Sequence, residues 1–334
     1  MKKIFAAMLC AVMVLSLAAC GSSSNSGTSD ASGSAESGVA STEDLTIAFL
    51  NVTDSLAPFP QYIKEDFEEI CDENGWTFVG YDGQGDVNNQ TDQVASVISD
   101  GEADLAGLFC EDSDAGIQYV EDLNEAGIPV ITFGSDVSED GREYVSCFVG
   151  PDQDDLIAKE ASAIAEDFGD EEANYIVLSG WEGQYDYLAR GAALENEFAD
   201  TSYTMLGDVQ YCGASRDNAM EYATTLLTQY GSDIDFIVCF SDEFALGAQQ
   251  AVEDAGLTDS VKIYSVECFA ETLPYIEDGT IEASVTMTSQ AVADKLAEVI
   301  PSVVAGESID YTQSIEQELV TVDNAADYEG VLQY

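Results

Sequence analysis

The 334-residue sequence contains no histidine, and it has nine lysine and arginine residues against 65 aspartate and glutamate residues. Without histidine the chain cannot form a Ser-His-Asp or Cys-His catalytic site, a histidine zinc site, or the most common general base of enzymes. The formal net charge of −56 repels nucleic-acid phosphates and anionic lipid headgroups. The composition therefore excludes most hydrolase classes and nucleic-acid binding, and it indicates neither a metal nor a cofactor.

The eight cysteines form no C-x-x-C pair, so the sequence lacks the spacing of zinc ribbons and thioredoxin-like redox sites. Two of them fall within the first twenty residues, and the others are scattered along the chain. An exported chain can oxidise such cysteines, but their spacing assigns no pairs. We favour mostly free, buried thiols for the last six, which are Cys71, Cys110, Cys147, Cys212, Cys239 and Cys268.

The first twenty residues have the pattern of an export signal. Lys2 and Lys3 precede an apolar run that is too short to span a membrane as a mature helix, and small residues lead to Cys20. This segment resembles the bacterial lipoprotein signal, which implies removal of residues 1–19 and acylation of the Cys20 thiol. Residues 20–44 are rich in Ser, Gly and Ala, which predicts a flexible tether.

From residue 45 onward, short apolar runs alternate with amphipathic segments. Between residues 61 and 74, for example, apolar residues recur at helical spacing, and Gly75 follows as a stop. Such alternation is typical of βαβ units with parallel sheets buried on both faces. One series ends near residue 133 and a second near residue 266, and the few elements after it are predicted to complete the first two. The expected fold class is α/β with two Rossmann-like lobes.

Several local sequences resemble those of one family. They include Ala57-Pro58-Phe59 after the first strand, Phe148-Val149-Gly150-Pro151-Asp152, and Ser241-Asp242-Glu243-Phe244-Ala245-Leu246-Gly247-Ala248. In order and spacing the chain is similar to type I periplasmic binding proteins, of the sugar-binding (ribose/galactose-like) branch that serves ABC transporters. The resemblance implies two parallel-sheet lobes joined by a three-crossover hinge, with ligand clamped between them. The expected boundaries are 45–148 plus about 286–311 for the first lobe, and 149–285 plus about 312–334 for the second.

A sugar site needs aromatic faces for the C–H side of the ring and planar polar groups for its hydroxyls. The resemblance implies that Phe59 is the stacking aromatic and that Arg190 donates hydrogen bonds from the second lobe. Both are expected on loops or loop–helix junctions, where neither is needed for folding. The six ligand-binding candidates lie after predicted strands or match the family motif: Phe59, Trp181, Arg190, Ser241, Asp242 and Glu267.

The sequence departs from the family pattern in two of these places. Ser241 stands where the family usually has asparagine, and Glu267 lies where it carries an aspartate. In addition, Gly134 and Ser135 occupy the position of an Asp-Arg pair that usually follows the fourth strand. A ribose-like specificity is therefore not assumed.

The resemblance implies a lipid-anchored, extracytoplasmic solute-binding protein, a monomer that delivers a small sugar-like ligand to the permease of an ABC importer. It is expected at the cell surface or in the periplasm of a bacterium, held to the membrane by its N-terminal lipid. Two alternatives remain open at this point. One is a ligand sensor that passes the closed state to a membrane receptor, and the other is an extracellular enzyme with Glu182 and Asp186 as a carboxylate pair.

Overall fold

The computed structural model describes residues 44–332. The predicted signal segment, Cys20 and nearly all of the predicted tether therefore lie outside the described residues. Within the described range, none of the helices combines the length and the apolar character needed to cross a bilayer.

The first series of elements forms a parallel sheet with helices on both faces. The six-stranded sheet has the order β12-β5-β4-β3-β1-β2. Its elements are β1 (Thr46–Asn51), α1 (Pro58–Asn74), β2 (Thr77–Asp82), α2 (Val87–Asp100), β3 (Leu105–Leu108), α3 (Ser113–Glu125), β4 (Val130–Phe133) and β5 (Cys147–Gly150), with α9 (Ser289–Val304) and β12 (Thr312–Ser314) from the end of the chain.

The second series forms a second helix–sheet–helix lobe. Its sheet has the order β13-β11-β10-β9-β6-β7, with β8 also paired to β6 and β13 antiparallel to β11. Its elements are α4 (Gln153–Phe168), β6 (Ala173–Ser179), α5 (Tyr185–Phe198), β7 (Tyr203–Met205), β8 (Gln210–Tyr211), α6 (Arg216–Tyr230), β9 (Phe236–Cys239), α7 (Asp242–Ala255), β10 (Lys262–Glu267), α8 (Leu273–Glu277), β11 (Ala283–Thr286) and β13 (Leu319–Thr321). The α/β class with two parallel-sheet lobes is confirmed.

The chain passes between the two sheets three times. It crosses between Gly150 and Gln153, between Thr286 and Ser289, and between Ser314 and Leu319. The sequence predicts a return to the second lobe at about residue 312, whereas β12 still pairs with β5 of the first sheet. The first sheet likewise continues through Gly150, two residues beyond the expected boundary at 148.

Each sheet is buried on both faces, which explains the continuous apolar strands of the sequence. In the first lobe, one face of the sheet packs against α1 and α9 and the other against α2 and α3. Phe49 lies at the centre of the first face, with ring centroids 5.4 Å from Phe67 and 4.6 Å from Phe133. In the second lobe, α4 and α5 cover one face and α6 and α7 the other.

Helix ends follow the local sequence closely. The Asp112 side chain caps α3 by accepting hydrogen bonds from the backbone N–H groups of Asp114 and Ala115. At the end of α1, Gly75 has φ 74°, a left-handed conformation that glycine adopts without steric strain. Such caps fix where each strand–helix loop begins and therefore where the candidate ligand residues lie.

Two short strands, β7 and β8, lie alongside β6, and helix α5 begins at Tyr185, directly after the loop that carries Trp181. The six described cysteines are free and buried. Burial raises the pKa of the Cys71, Cys147 and Cys212 thiols to about 12, which keeps them protonated and unreactive.

Candidate ligand-binding site

A cavity of about 460 Å³, including its opening to solvent, lies between the two lobes. It sits at the carboxyl ends of the strands, which is where open α/β sheets bind ligands. The first lobe contributes Val52, Ala57, Pro58, Phe59, Pro60 and Phe109; the second contributes Trp181, Gln184, Asp186, Tyr187, Ala214, Ser241, Glu243, Phe244, Glu267 and Phe269.

The wall of the cavity is strongly aromatic. Its aromatic side chains come from both lobes: Phe59, Phe109, Trp181, Tyr187, Phe244 and Phe269. Phe59 is the second residue of α1 and belongs to the core on that face of the first sheet, with a side chain that is largely buried. Phe59 therefore lines the cavity from a loop–helix junction while it also packs in the core, whereas Trp181 is half-buried and stands on a loop.

Ser241 and Glu267 meet at the cavity wall. The Ser241 hydroxyl donates a hydrogen bond to Glu267 Oε2 at 2.5 Å. Glu267 has φ 100° and Cys268 has φ 56°, which are left-handed conformations that non-glycine residues rarely adopt. The loop after β10 therefore holds the Glu267 carboxylate in the cavity at a cost in backbone strain, a feature that is common at binding sites.

Asp242 supports that loop from behind. Its side chain accepts hydrogen bonds from the hydroxyls of Ser265 and Ser284, and from the backbone N–H of Phe269 at 2.6 Å. Asp242 is fully buried and is not among the residues that line the cavity. The structure therefore places it as an anchor of the loop, not as the ligand contact that the sequence predicts.

Arg190 also lies behind the wall. It is in the second turn of α5 and only 1% exposed, so its predicted position on a loop or loop–helix junction is wrong. Its Nε donates to Gln153 Oε1 at 2.9 Å and its Nη1 to the carbonyl oxygen of Phe240 at 2.6 Å. Its Nη2 is 4.0 Å from Asp186 Oδ2. Arg190 thus links α5 to α4 and to the end of β9. It is connected to the cavity wall by its ion pair with Asp186.

Buried carboxylates surround this arginine. Burial raises the pKa of Glu267 to about 8, with Arg190 and the Ser241 hydrogen bond acting in the opposite direction. Burial likewise raises the pKa of Glu160, on α4, to about 8, and the pKa of Asp186. In the first lobe, burial and neighbouring carboxylates raise the pKa of Glu111 to about 7.

The lobes contact each other along the edge of the cavity. The Gln184 side-chain amide donates to the carbonyl oxygen of Cys110 at 3.2 Å, and the backbone N–H of Ser113 donates to the carbonyl oxygen of Gly183 at 3.4 Å. Gln184, Asp186 and Tyr187 were not predicted as ligand contacts. Their position immediately after the loop that follows β6 is the signal that could have identified them.

A second polar cluster lies at the crossovers, outside the cavity. Asp136 accepts hydrogen bonds from Thr132 and Tyr311, and the Nε of Arg142 is 3.1 Å from its Oδ2. The Arg142 guanidinium is 5.1 Å from the ring centroid of Tyr185 and 5.4 Å from that of Tyr311. An Asp–Arg pair thus follows β4 after all, but neither residue is among those lining the cavity.

No group of three or more Cys, Asp or Glu residues in the described range is arranged to hold a metal ion. The predicted candidates therefore divide into two sets. Phe59, Trp181, Ser241 and Glu267 line the cavity, while Arg190 and Asp242 support it from behind. The arrangement can enclose a small molecule between aromatic faces of both lobes and the carboxylates of the second lobe.

Known proteins resemble this chain in sequence and in fold. A family model described as periplasmic binding protein domain matches residues 47–308. The fructose import binding protein FruE of Bifidobacterium longum is 27% identical over 88% of this chain and 89% of its own. The ribose import binding protein of Bacillus subtilis is 26% identical over 84% of this chain and 88% of its own.

A solved structure extends the comparison to the fold. The periplasmic binding protein component of the Shewanella arabinose ABC transporter, bound to L-arabinofuranose, has a TM-score of 0.79 at 20% identity, over 86% of this chain and 95% of its own. It shares the fold of the present chain. With the family match, the two lobes and the cavity between them, the chain belongs to the type I periplasmic binding protein family, whose members bind solutes and do not catalyse reactions.

Proposed function

We propose that the protein captures a small sugar or polyol between its lobes and delivers it to an ABC importer, from a lipid anchor on Cys20 outside the cytoplasmic membrane. The observation that carries this proposal is the cavity, which combines aromatic faces from both lobes with hydrogen-bonding side chains from the second lobe. The names of the fructose and ribose relatives support the class of ligand and the import role. Membership of a family of binding proteins removes the carboxylate-pair enzyme.

The ligand acts by favouring the closed arrangement of the lobes. Because Phe59 comes from the first lobe and Trp181 and Glu267 from the second, a ligand that contacts all three binds the closed state better than an open one. The three crossovers near residues 150, 287 and 316 are short and form the hinge for this motion. The permease then recognises the closed lobes.

A thermal-shift panel tests the ligand class. The mature protein is mixed with hexoses, pentoses, hexitols, inositols and nucleosides, and the melting temperature is recorded. A ligand at a hundred times its dissociation constant stabilises the folded state by ~2.7 kcal/mol, which gives a clear shift. A Trp181→Ala variant should lose at least tenfold in affinity for the same ligand by calorimetry, since a buried aromatic anchor contributes ~1–3 kcal/mol. A panel without any shift would contradict the sugar or polyol class.

The anchor needs a separate experiment. The Cys20→Ala variant should leave the membrane fraction or remain unprocessed, because the thiol that carries the lipid is gone. A variant that is processed normally and stays with the membrane would contradict the lipoprotein interpretation and leave the ligand proposal untouched.

A further inference from the structure

The two lobes contribute different chemistry to the cavity. The lining side chains that can hydrogen-bond to a ligand come from the second lobe, and they include Gln184, Asp186, Ser241 and Glu267. The lining residues of the first lobe are all apolar, and they form the first-lobe wall: Val52, Ala57, Pro58, Phe59, Pro60 and Phe109. A sugar held between the lobes therefore meets polar partners on one side and an apolar surface on the other.

The backbone of the first-lobe wall also offers few hydrogen-bonding groups. Pro58 and Pro60 lie in the first turn of α1 and have no N–H, so this helix start lacks two of the donors that such an end normally presents. The N–H of Phe109 donates to the carbonyl oxygen of Leu50 at 2.9 Å, and its own carbonyl oxygen accepts from Gln90 Nε2 at 2.7 Å. A ligand hydroxyl that faces this wall therefore finds little to bond to.

The polar side chains at the strand ends of the first lobe do not fill this gap. Asn51, the last residue of β1, donates from its side-chain amide to the carbonyl oxygen of Pro60 at 3.0 Å. Asp136 and Arg142 bind each other in the cluster at the crossovers. Neither these three residues nor Glu111, which follows β3, are among the lining residues. The described part of the first lobe therefore places no polar side chain on the cavity wall.

The second lobe supplies acceptors for ligand hydroxyls. Asp186 and Glu267 line the cavity, and the Ser241 hydroxyl already donates to Glu267. Carboxyl oxygens accept hydrogen bonds from neutral hydroxyls, so this lobe can bind a ligand that carries no charge. Hydroxyls gathered on one side of a ligand would satisfy these groups, while C–H groups on its other side would pack against Phe59 and Phe109.

We propose that the cavity selects sugars with one side free of hydroxyls, in particular deoxy sugars that carry a methyl group in place of the terminal hydroxymethyl group. This proposal rests on the proposed function and narrows its ligand class. The methyl group lies against the first-lobe wall, and the remaining hydroxyls bond to the second lobe. A hydroxymethyl group in the same place would lose its hydrogen bonds to water and gain none from the wall. An apolar pocket disfavours such an added hydroxyl by up to roughly a hundredfold.

Calorimetry with matched pairs tests the proposal on the mature protein. The pairs are D-fucose with D-galactose, D-quinovose with D-glucose, L-fucose with L-galactose, and L-rhamnose with L-mannose, and the members of each pair differ by a single hydroxyl group. At least one deoxy sugar should bind tenfold or more tightly than its parent, a difference of about 1.4 kcal/mol.

Variants of the first-lobe wall show whether its apolar character carries the selectivity. Val52→Thr exchanges a methyl group for a hydroxyl in nearly the same shape, and Ala57→Ser adds one hydroxyl directly before α1. Each variant gives a ligand hydroxyl a partner, so the ratio of deoxy-sugar affinity to parent affinity should fall by threefold or more. Leu56→Ser, at an exposed residue of the same loop outside the lining, should leave the ratio unchanged. Melting temperatures identify any variant that does not fold.

The outcomes separate this proposal from the proposed function. If no deoxy sugar exceeds its parent tenfold while other sugars or polyols bind, the proposal is overturned and the proposed function stands. An unchanged affinity ratio in both folded wall variants would overturn it as well. If no sugar or polyol binds at all, both proposals fail.

Discussion

Arg142 and Arg190 both lie where the two lobes meet, but their surroundings differ. Arg142, at the crossovers, has one buried carboxylate, Asp136, and stands over the rings of Tyr185 and Tyr311. Arg190, behind the cavity, faces Glu160, Asp186 and Glu267 and forms its closest ion pair at 4.0 Å.

The hinge cluster is balanced in charge and the cavity cluster is not. A fold that only needed stability would match or remove buried charges, because an unmatched carboxylate in a low-dielectric interior is unfavourable. The cavity cluster instead keeps three buried carboxyl groups around one guanidinium, and burial raises the pKa of each of them. The cluster around Arg142 therefore serves to hold the lobes together, and the cluster around Arg190 serves to recognise the ligand.

The strongest test of this contrast is removal of Arg190. Arg190→Ala leaves Asp186 without its positive neighbour and removes the hydrogen bonds to Gln153 and the Phe240 carbonyl, and breaking a buried pair from one side typically costs ~3–5 kcal/mol. We expect a loss of stability in this range at pH 7 by urea denaturation, together with loss of ligand binding. A loss below about 1 kcal/mol would mean that the carboxylates are protonated and do not need the arginine.

The pH dependence of stability should depend on Glu160. Its folded pKa of about 8 lies above the ordinary glutamate pKa of 4.5, so the folded state binds the extra proton. The contribution of this group to the free energy of unfolding is greatest below pH 4.5 and declines as the pH rises from 4.5 to 8. Within that range the folded state must either keep the proton or bury the charge.

Glu160→Gln removes that titration. We expect the variant to be more stable than the parent at pH 8.5 by at least about 1.4 kcal/mol, the equivalent of one pKa unit, with a smaller difference at pH 5. Glu166→Gln, on the exposed side of the same helix, is the matched control. Equal pH profiles for the parent and Glu160→Gln would show that Glu160 titrates normally in the folded protein.

Loss of Arg142 should have the smallest effect on stability and a measurable one on closure. Asp136 retains its hydrogen bonds from Thr132 and Tyr311, so Arg142→Ala should cost ~1–2 kcal/mol in folding. Because Arg142 belongs to the first lobe and Tyr185 to the second, ligand affinity should fall by a few fold and the ligand-bound radius of gyration should increase. An unchanged affinity would show that Arg142 acts within the first lobe and not in contacts between the lobes.

Much of this architecture could be predicted because parallel strands that are buried on both faces consist of consecutive apolar residues. Leu105–Leu108 and Val130–Phe133 are examples. The ends of such runs also indicated where polar and aromatic ligand candidates would gather, which is why Phe59, Trp181, Ser241 and Glu267 lie on one cavity. The resemblance to a known family supplied the crossovers, which periodicity alone does not reveal.

What the sequence could not predict depends on tertiary packing. Arg190 was expected at a loop or loop–helix junction, in contact with the ligand, because the family resemblance implied that role. Its burial follows from its place in the second turn of α5, which turns it toward α4 and the end of β9. The anchoring role of Asp242 depends on Ser265 and Ser284, which come from two other strands.

The three crossovers also determine when this protein can fold. The first lobe needs α9 and β12, and nearly the whole second lobe separates them in sequence from the strands and helices they complete. Contacts between such distant segments form slowly, so neither core closes until the end of the chain is available. A truncation at Thr286 would therefore remove α9 and β12 from the first lobe as well as β13 from the second. Neither lobe of the nascent chain can be completed until synthesis is nearly over. The chain is therefore still unfolded during the interval in which it would be exported.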